Sequence, residues 1–133
     1  MNHIFLWLHN NKFRAVCFLI GWTALIFYLC LKPMTGMPKI KIPHLDKLVH
    51  VILFGGFNYL YLNYLRFIDK RILKVSFILT GAFGLLIEIL QRSGIFGLRS
   101  FEWMDVVADT LGGVLAGLVF YKFYKKYYQL AKR

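Results

Sequence analysis

The apolar residues of this 133-residue chain are gathered into long runs, separated by short charged stretches. Runs of this kind leave little choice of fold. A helix of a soluble protein carries an apolar stripe and a polar face, whereas these runs are apolar on nearly every side. They predict four membrane spans, at about Ala15–Leu31, Leu48–Leu65, Ile72–Leu90 and Val106–Tyr121. Each is roughly 16–20 residues, near what a ~30 Å hydrocarbon core needs at 1.5 Å per residue. Lipid cannot satisfy a free backbone, so each span is expected to be a helix. The fold class is therefore an all-α membrane protein, a four-transmembrane-helix bundle. A basic segment (residues 1–14) and a basic, aromatic tail (residues 122–133) flank a membrane domain (residues 15–121).

Composition agrees: 59% of the residues are hydrophobic and only six are acidic, which argues against an ordinary soluble core. The formal net charge is +11, but Lys and Arg stand just outside the apolar runs. There they anchor helix ends and meet anionic lipid head groups, so membrane lipids and not nucleic acid are the expected partners. Cys17 and Cys30 lie thirteen residues apart in the first span, too far along one helix to bridge, and read as small apolar core residues. Lys12 and Arg14 before an apolar run resemble a signal peptide, but no small-x-small cleavage site follows, so the run is read as a retained span.

The connections differ. KPMTGMPKIKIPHLD (32–46) holds Pro33, Pro38 and Pro43 and should be extended, with Pro43 suited to starting the next helix. RFIDKR (66–71) is a tight basic turn. In RSGIFGLRSFEW (92–103), Gly94 is placed to stop the third span. With four spans, the N-terminal segment, the second connection and the tail share one side and hold eleven Lys and Arg; the first and third connections hold six. The positive-inside asymmetry predicts both termini in the cytoplasm.

This topology gathers five of the six acids at the outer face and leaves only Asp69 on the other. Asp46 and His50 open span two; Glu88, Gln91 and Arg92 close span three; Arg99 and Ser100 precede Glu102, Asp105 and Asp109. Asp46–His50, Glu88–Arg92 and Asp105–Asp109 are each i,i+4 pairs on one helix face. The rows continue into small residues: Ser76, Thr80 and Gly84 before Glu88, and Gly112, Gly113, Ala116 and Gly117 after Asp109. Small residues let membrane helices approach closely, so the polar faces should point into the bundle. Asp46, Glu102 and Asp105 fall near helix N-termini, where the macrodipole favours an anion, so a structural role is open to them as well as a functional one. Glu88 sits in the last turn of its span, and Asp109 lies about 6 Å deeper than Asp105. Both need a partner, a proton or water, because a charge at mid-bilayer costs roughly 2.5–3.5 kcal/mol. Arg92 is the expected partner of Glu88, and Arg99 or His50 of the aspartates.

DKLVHVILFGG (46–56), EILQ (88–91) and RSFEWMDVVADTLGGVLAG (99–117) together resemble the VanZ-like family of small bacterial membrane proteins. The order matches: an Asp-Lys-x-x-His opening a helix, a Glu-x-x-Gln closing the next, then Arg, Ser and an Asp-x-x-x-Asn-x-x-Gly helix. Asp109 departs from the pattern, since the family usually has Asn there. The resemblance implies an envelope membrane protein with an outward-facing polar site, in a family named for a protein linked to low-level resistance to teicoplanin-type glycopeptides.

Four functions compete. The first is recognition of a lipid or lipid-linked cell-wall precursor head group, with Arg92, Arg99 and Lys47 binding phosphate or carboxylate and Glu88, Asp105 and Asp109 orienting them. The second is an enzyme on such a head group, with His50 as base, Asp46 as its orienter and Ser100 as nucleophile. No complete catalytic triad, metal-ligand spacing or cofactor motif supports it, so no metal and no cofactor are expected. The third, a proton-coupled exporter, would need an acid inside the first span, which has none. The fourth is a structural subunit, with oligomer contacts through Gly112, Gly113, Ala116 and Gly117.

Overall fold

The structure is a computed structural model and describes residues 2–32, 45–66, 69–95 and 100–131. Pro33, Pro38, Pro43, Gly97 and Arg99, and the expectations attached to them, lie outside the described residues. The described chain is all helical: α1 (Asn2–His9), α2 (Lys12–Leu31), α3 (Leu45–Leu65), α4 (Lys70–Arg92) and α5 (Trp103–Ala131). The last four are long and apolar enough to cross a membrane, and they contain the four expected spans. The short α1 is an addition to the expected elements: its HIFLWLH segment lies within the basic N-terminal stretch.

Local chemistry sets the helix ends. Asn11 Oδ1 accepts from the Arg14 amide at 3.0 Å and starts α2; Asp69 Oδ1 accepts from the Ile72 amide at 2.7 Å and starts α4. Each satisfies an amide that the first turn leaves without a helical partner. Gly94 takes φ 76° just beyond α4, the left-handed conformation that ends a helix with no Cβ clash. Arg66 takes φ 60° after α3, at the cost of about 1 kcal/mol that Gly would avoid.

α3 is the most enclosed span and α5 its closest neighbour. Glycine makes that approach: a Cβ on Gly112 would strike the Val51 carbonyl, and one on Gly55 would lie 3.0 Å from the Gly112 oxygen. Gly113 instead faces Thr80 of α4, and Gly117 faces Phe77 and Asn58. These small-residue contacts lie between helices of the same chain. Buried amides tie the helices further. Asn58 Nδ2 donates to the Gly113 carbonyl at 2.7 Å, Trp22 Nε1 to that of Leu53 at 2.7 Å, and Gln91 Nε2 to that of Cys30 at 2.8 Å. Side chains turned outward are apolar, among them Phe18, Ile52, Ile78, Leu115 and Leu118, as lipid contact requires. Cys17 also faces outward, so only Cys30 is a core residue.

At the opposite end from the acids, His9 of α1 packs among the rings of Phe120, Tyr124 and Tyr127. Burial, and secondarily the Arg66 charge, hold its imidazole below the usual range.

Candidate functional site

The polar residues of α3, α4 and α5 meet at one end of the bundle, in two layers. The outer layer is built around Lys47. Its Nζ lies 2.9 Å from Asp46 Oδ2, 2.9 Å from Glu102 Oε2 and 3.1 Å from Asp105 Oδ1. Asp46 and Glu102 are exposed, while the Asp105 side chain is 9% exposed. One flexible ammonium thus ties the starts of α3 and α5 together and neutralises the one buried carboxylate of the three.

The inner layer lies one helical turn deeper. His50 Nδ1 is 2.9 Å from Asp109 Oδ1, and both groups are buried. With Asp109 ionised, its carboxylate only accepts, so Nδ1 carries the hydrogen and Nε2 keeps its lone pair. Nε2 faces Asp105 Oδ2 at 3.9 Å, too far for a hydrogen bond. Glu88 joins from α4, where its Oε2 accepts from the Glu102 amide at 3.0 Å. That bond satisfies a backbone donor just before α5 and pins the approach to α5 against the end of α4. Space for Asp109 comes from Gly84, where any Cβ would collide with the aspartate. The His50 ring stacks on Phe54, at 6.1 Å between centroids and 9° between planes.

Several expected pairings are corrected. Arg92 does not pair with Glu88: it is exposed, and no ion pair joins it to a described carboxylate. Glu88 turns inward and Arg92 outward, because the side chain after a further turn at the membrane end can reach water. Asp46 does not orient His50, since it pairs with Lys47; Asp109 takes that role. Ser100 is exposed and forms no described hydrogen bond with His50, so the base and nucleophile of the enzyme reading do not meet. The Gln91 amide is spent on α2. Lys47, expected to bind an anionic ligand, is instead the hub of the outer layer, and Asn58 and Gly55, not singled out in the sequence, take part in the seam beneath. The only signal for Asn58 was a lone amide within an apolar run, which by itself names no partner.

Beside the two layers, Leu85, Ile89, Arg92, Ser93, Phe101 and Trp103 line a groove of about 550 Å³ between the end of α4 and the start of α5. Its apolar walls run along the spans, and its polar groups stand at the α4 terminus.

Comparison with known proteins places this arrangement. The VanZ/LLP1 family model matches residues 3–125, nearly the whole chain. No curated protein and no solved structure matches it.

Proposed function

The chain belongs to the VanZ/LLP1 family, and from that premise we propose that this multi-pass membrane protein recognises an anionic head group, lipid or lipid-linked cell-wall precursor, at the outer face of the bacterial cytoplasmic membrane. One observation carries the reading: Arg92, free of any described carboxylate, stands at the mouth of an apolar groove that opens beside the spans. A guanidinium at the interface offers paired donors to phosphate or carboxylate, while Leu85, Ile89 and Phe101 take the adjoining acyl or prenyl chain. Trp103 suits the head-group level. The Lys and Arg asymmetry supports an orientation with both termini in the cytoplasm and this end outward. The linkage of the family's namesake to glycopeptide susceptibility agrees with an envelope ligand of this chemistry.

Native mass spectrometry of the detergent-purified protein, with phosphatidylglycerol and phosphatidylcholine supplied together, tests it. The anionic lipid is retained preferentially, and Arg92→Gln abolishes the preference. Equal retention of the two lipids by the unaltered protein overturns the reading. A reporter fused after Arg133 is active in the cytoplasm; activity only outside overturns the orientation.

A further inference from the structure

The inner layer contains carboxylates that no lysine or arginine among the described residues reaches. Lys47 stops at Asp105 Oδ1, and no described ammonium or guanidinium pairs with Glu88 or Asp109. Both residues are 0% exposed. Glu88 Oε1 and Asp109 Oδ2 have no hydrogen-bond partner among the described residues. Stranding carboxylate oxygens in a dry bundle is costly unless a positive charge offsets them.

The spacing says which charge fits. One ligand atom each from His50, Glu88 and Asp105 lie within 4.8 Å of one another. Ligands about 2.0–2.2 Å from a tetrahedral ion stand roughly 3.3–3.6 Å apart, so the widest pair needs to close by at most about 1.5 Å. The 3.9 Å between His50 Nε2 and Asp105 Oδ2 is too long for a hydrogen bond but suits two ligands of one ion. Each atom also comes with the right preparation. Asp109 holds Nδ1 and so directs the Nε2 lone pair inward, the outer-shell arrangement of a metal-bound histidine. Asp105 Oδ1 is held by Lys47, which leaves Oδ2 facing the cluster, and Glu88 Oε2 is held by an amide, which leaves Oε1.

We propose that His50 Nε2, Glu88 Oε1 and Asp105 Oδ2 bind one divalent cation, with Asp109 as the positioning residue for the imidazole. An imidazole nitrogen with two carboxylates and no thiolate selects Mn²⁺ or Zn²⁺ over Mg²⁺ or Ca²⁺. No ligand spacing along the chain announced this, because the three ligands come from three helices. The exposed triad of Asp46, Glu102 and Asp105 also has ligand spacing, but the Lys47 ammonium already fills it.

The test uses the full chain in detergent, stripped with a chelator, dialysed, and titrated with Mn²⁺ or Zn²⁺ alone. One equivalent binds per chain. In the Mn²⁺-loaded protein, electron spin-echo modulation shows a directly bound imidazole nitrogen, and His50→Gln removes it. Glu88→Gln weakens binding at least about tenfold and Asp109→Asn about 10–100-fold, whereas Asp46→Asn with Glu102→Gln leaves it unchanged. Absence of a stoichiometric ion, absence of the nitrogen coupling, or loss of binding in the Asp46→Asn, Glu102→Gln protein overturns the proposal. The coupling is read on the unaltered chain, so it decides even where a variant fails to fold. Lipid retention through Arg92 is a separate readout, so either proposal can fail alone.

Discussion

Lys47 Nζ stands within 3.1 Å of three carboxylates at the exposed ends of α3 and α5. One turn deeper, His50, Glu88 and Asp109 come together with no described lysine or arginine among them. The outer layer is a partly hydrated cluster with its own cation on a flexible stem, so it tolerates adjustment. The inner layer is buried, with one oxygen of Glu88 held by an amide and one of Asp109 by an imidazole. The same residue types therefore do different work according to depth: the outer group fastens two helix ends, and the inner group holds acceptor atoms aimed at one point. Asp105 belongs to both, one oxygen in each layer.

The comparison depends on α3 and α5 touching, and its severest test removes that contact. Gly112→Leu drives a side chain into the Val51 backbone and should cost at least about 3 kcal/mol, because neither backbone can yield. Thermal unfolding in detergent should show it, while Gly21→Leu, with nothing within 4 Å of its Cβ, stays within about 0.5 kcal/mol.

Lys47→Met next distinguishes the layers. It leaves Asp105 buried without its ammonium and should cost about 1–3 kcal/mol, discounted from a fully buried pair because Lys47 is partly exposed. Adding Asp105→Asn should restore more than half of that loss in a double-mutant cycle; simple additivity would mean the ammonium merely fills space.

In the metal-free inner layer, Asp109→Leu strands His50 Nδ1 and should cost about 1–3 kcal/mol. Asp109→Asn keeps an oxygen that can accept from Nδ1 and should cost clearly less. Equal losses would mean that the negative charge, and not the hydrogen bond, holds the imidazole. The smallest effect belongs to Asp46→Asn. Its side chain is 48% exposed, so the change should fall within about 0.5 kcal/mol and shrink further as salt is added.

Spacing along each helix exposed the i,i+4 rows and so the collection of acids at one end, but not which partner each acid takes. Arg92 was the nearest cation to Glu88 in sequence, yet it stands one turn further on, at the exposed end of α4, while Glu88 is buried. Lys47, in contrast, was expected to bind an anionic ligand, and three carboxylates from the starts of α3 and α5 converge on it. Asn58 and Gly55 gave almost no signal, since a single amide or glycine in an apolar run acquires its role only from what packs opposite.

What the sequence determined alone is the solvent and the architecture. Runs of apolar residues long enough to cross lipid permit only helices, and Asn11, Asp69 and Gly94 set ends that local hydrogen bonding and φ preferences enforce without help from elsewhere. The family pattern likewise runs along the chain, and it matches residues 3–125. The tertiary structure decided the pairing of the charges. Which carboxylate meets Lys47, which meets His50 and which keeps an oxygen free depends on how α3, α4 and α5 are rotated and how closely Gly55, Gly84 and Gly112 let them pack. Those are relations between helices, and a periodicity within one helix contains no record of its neighbours.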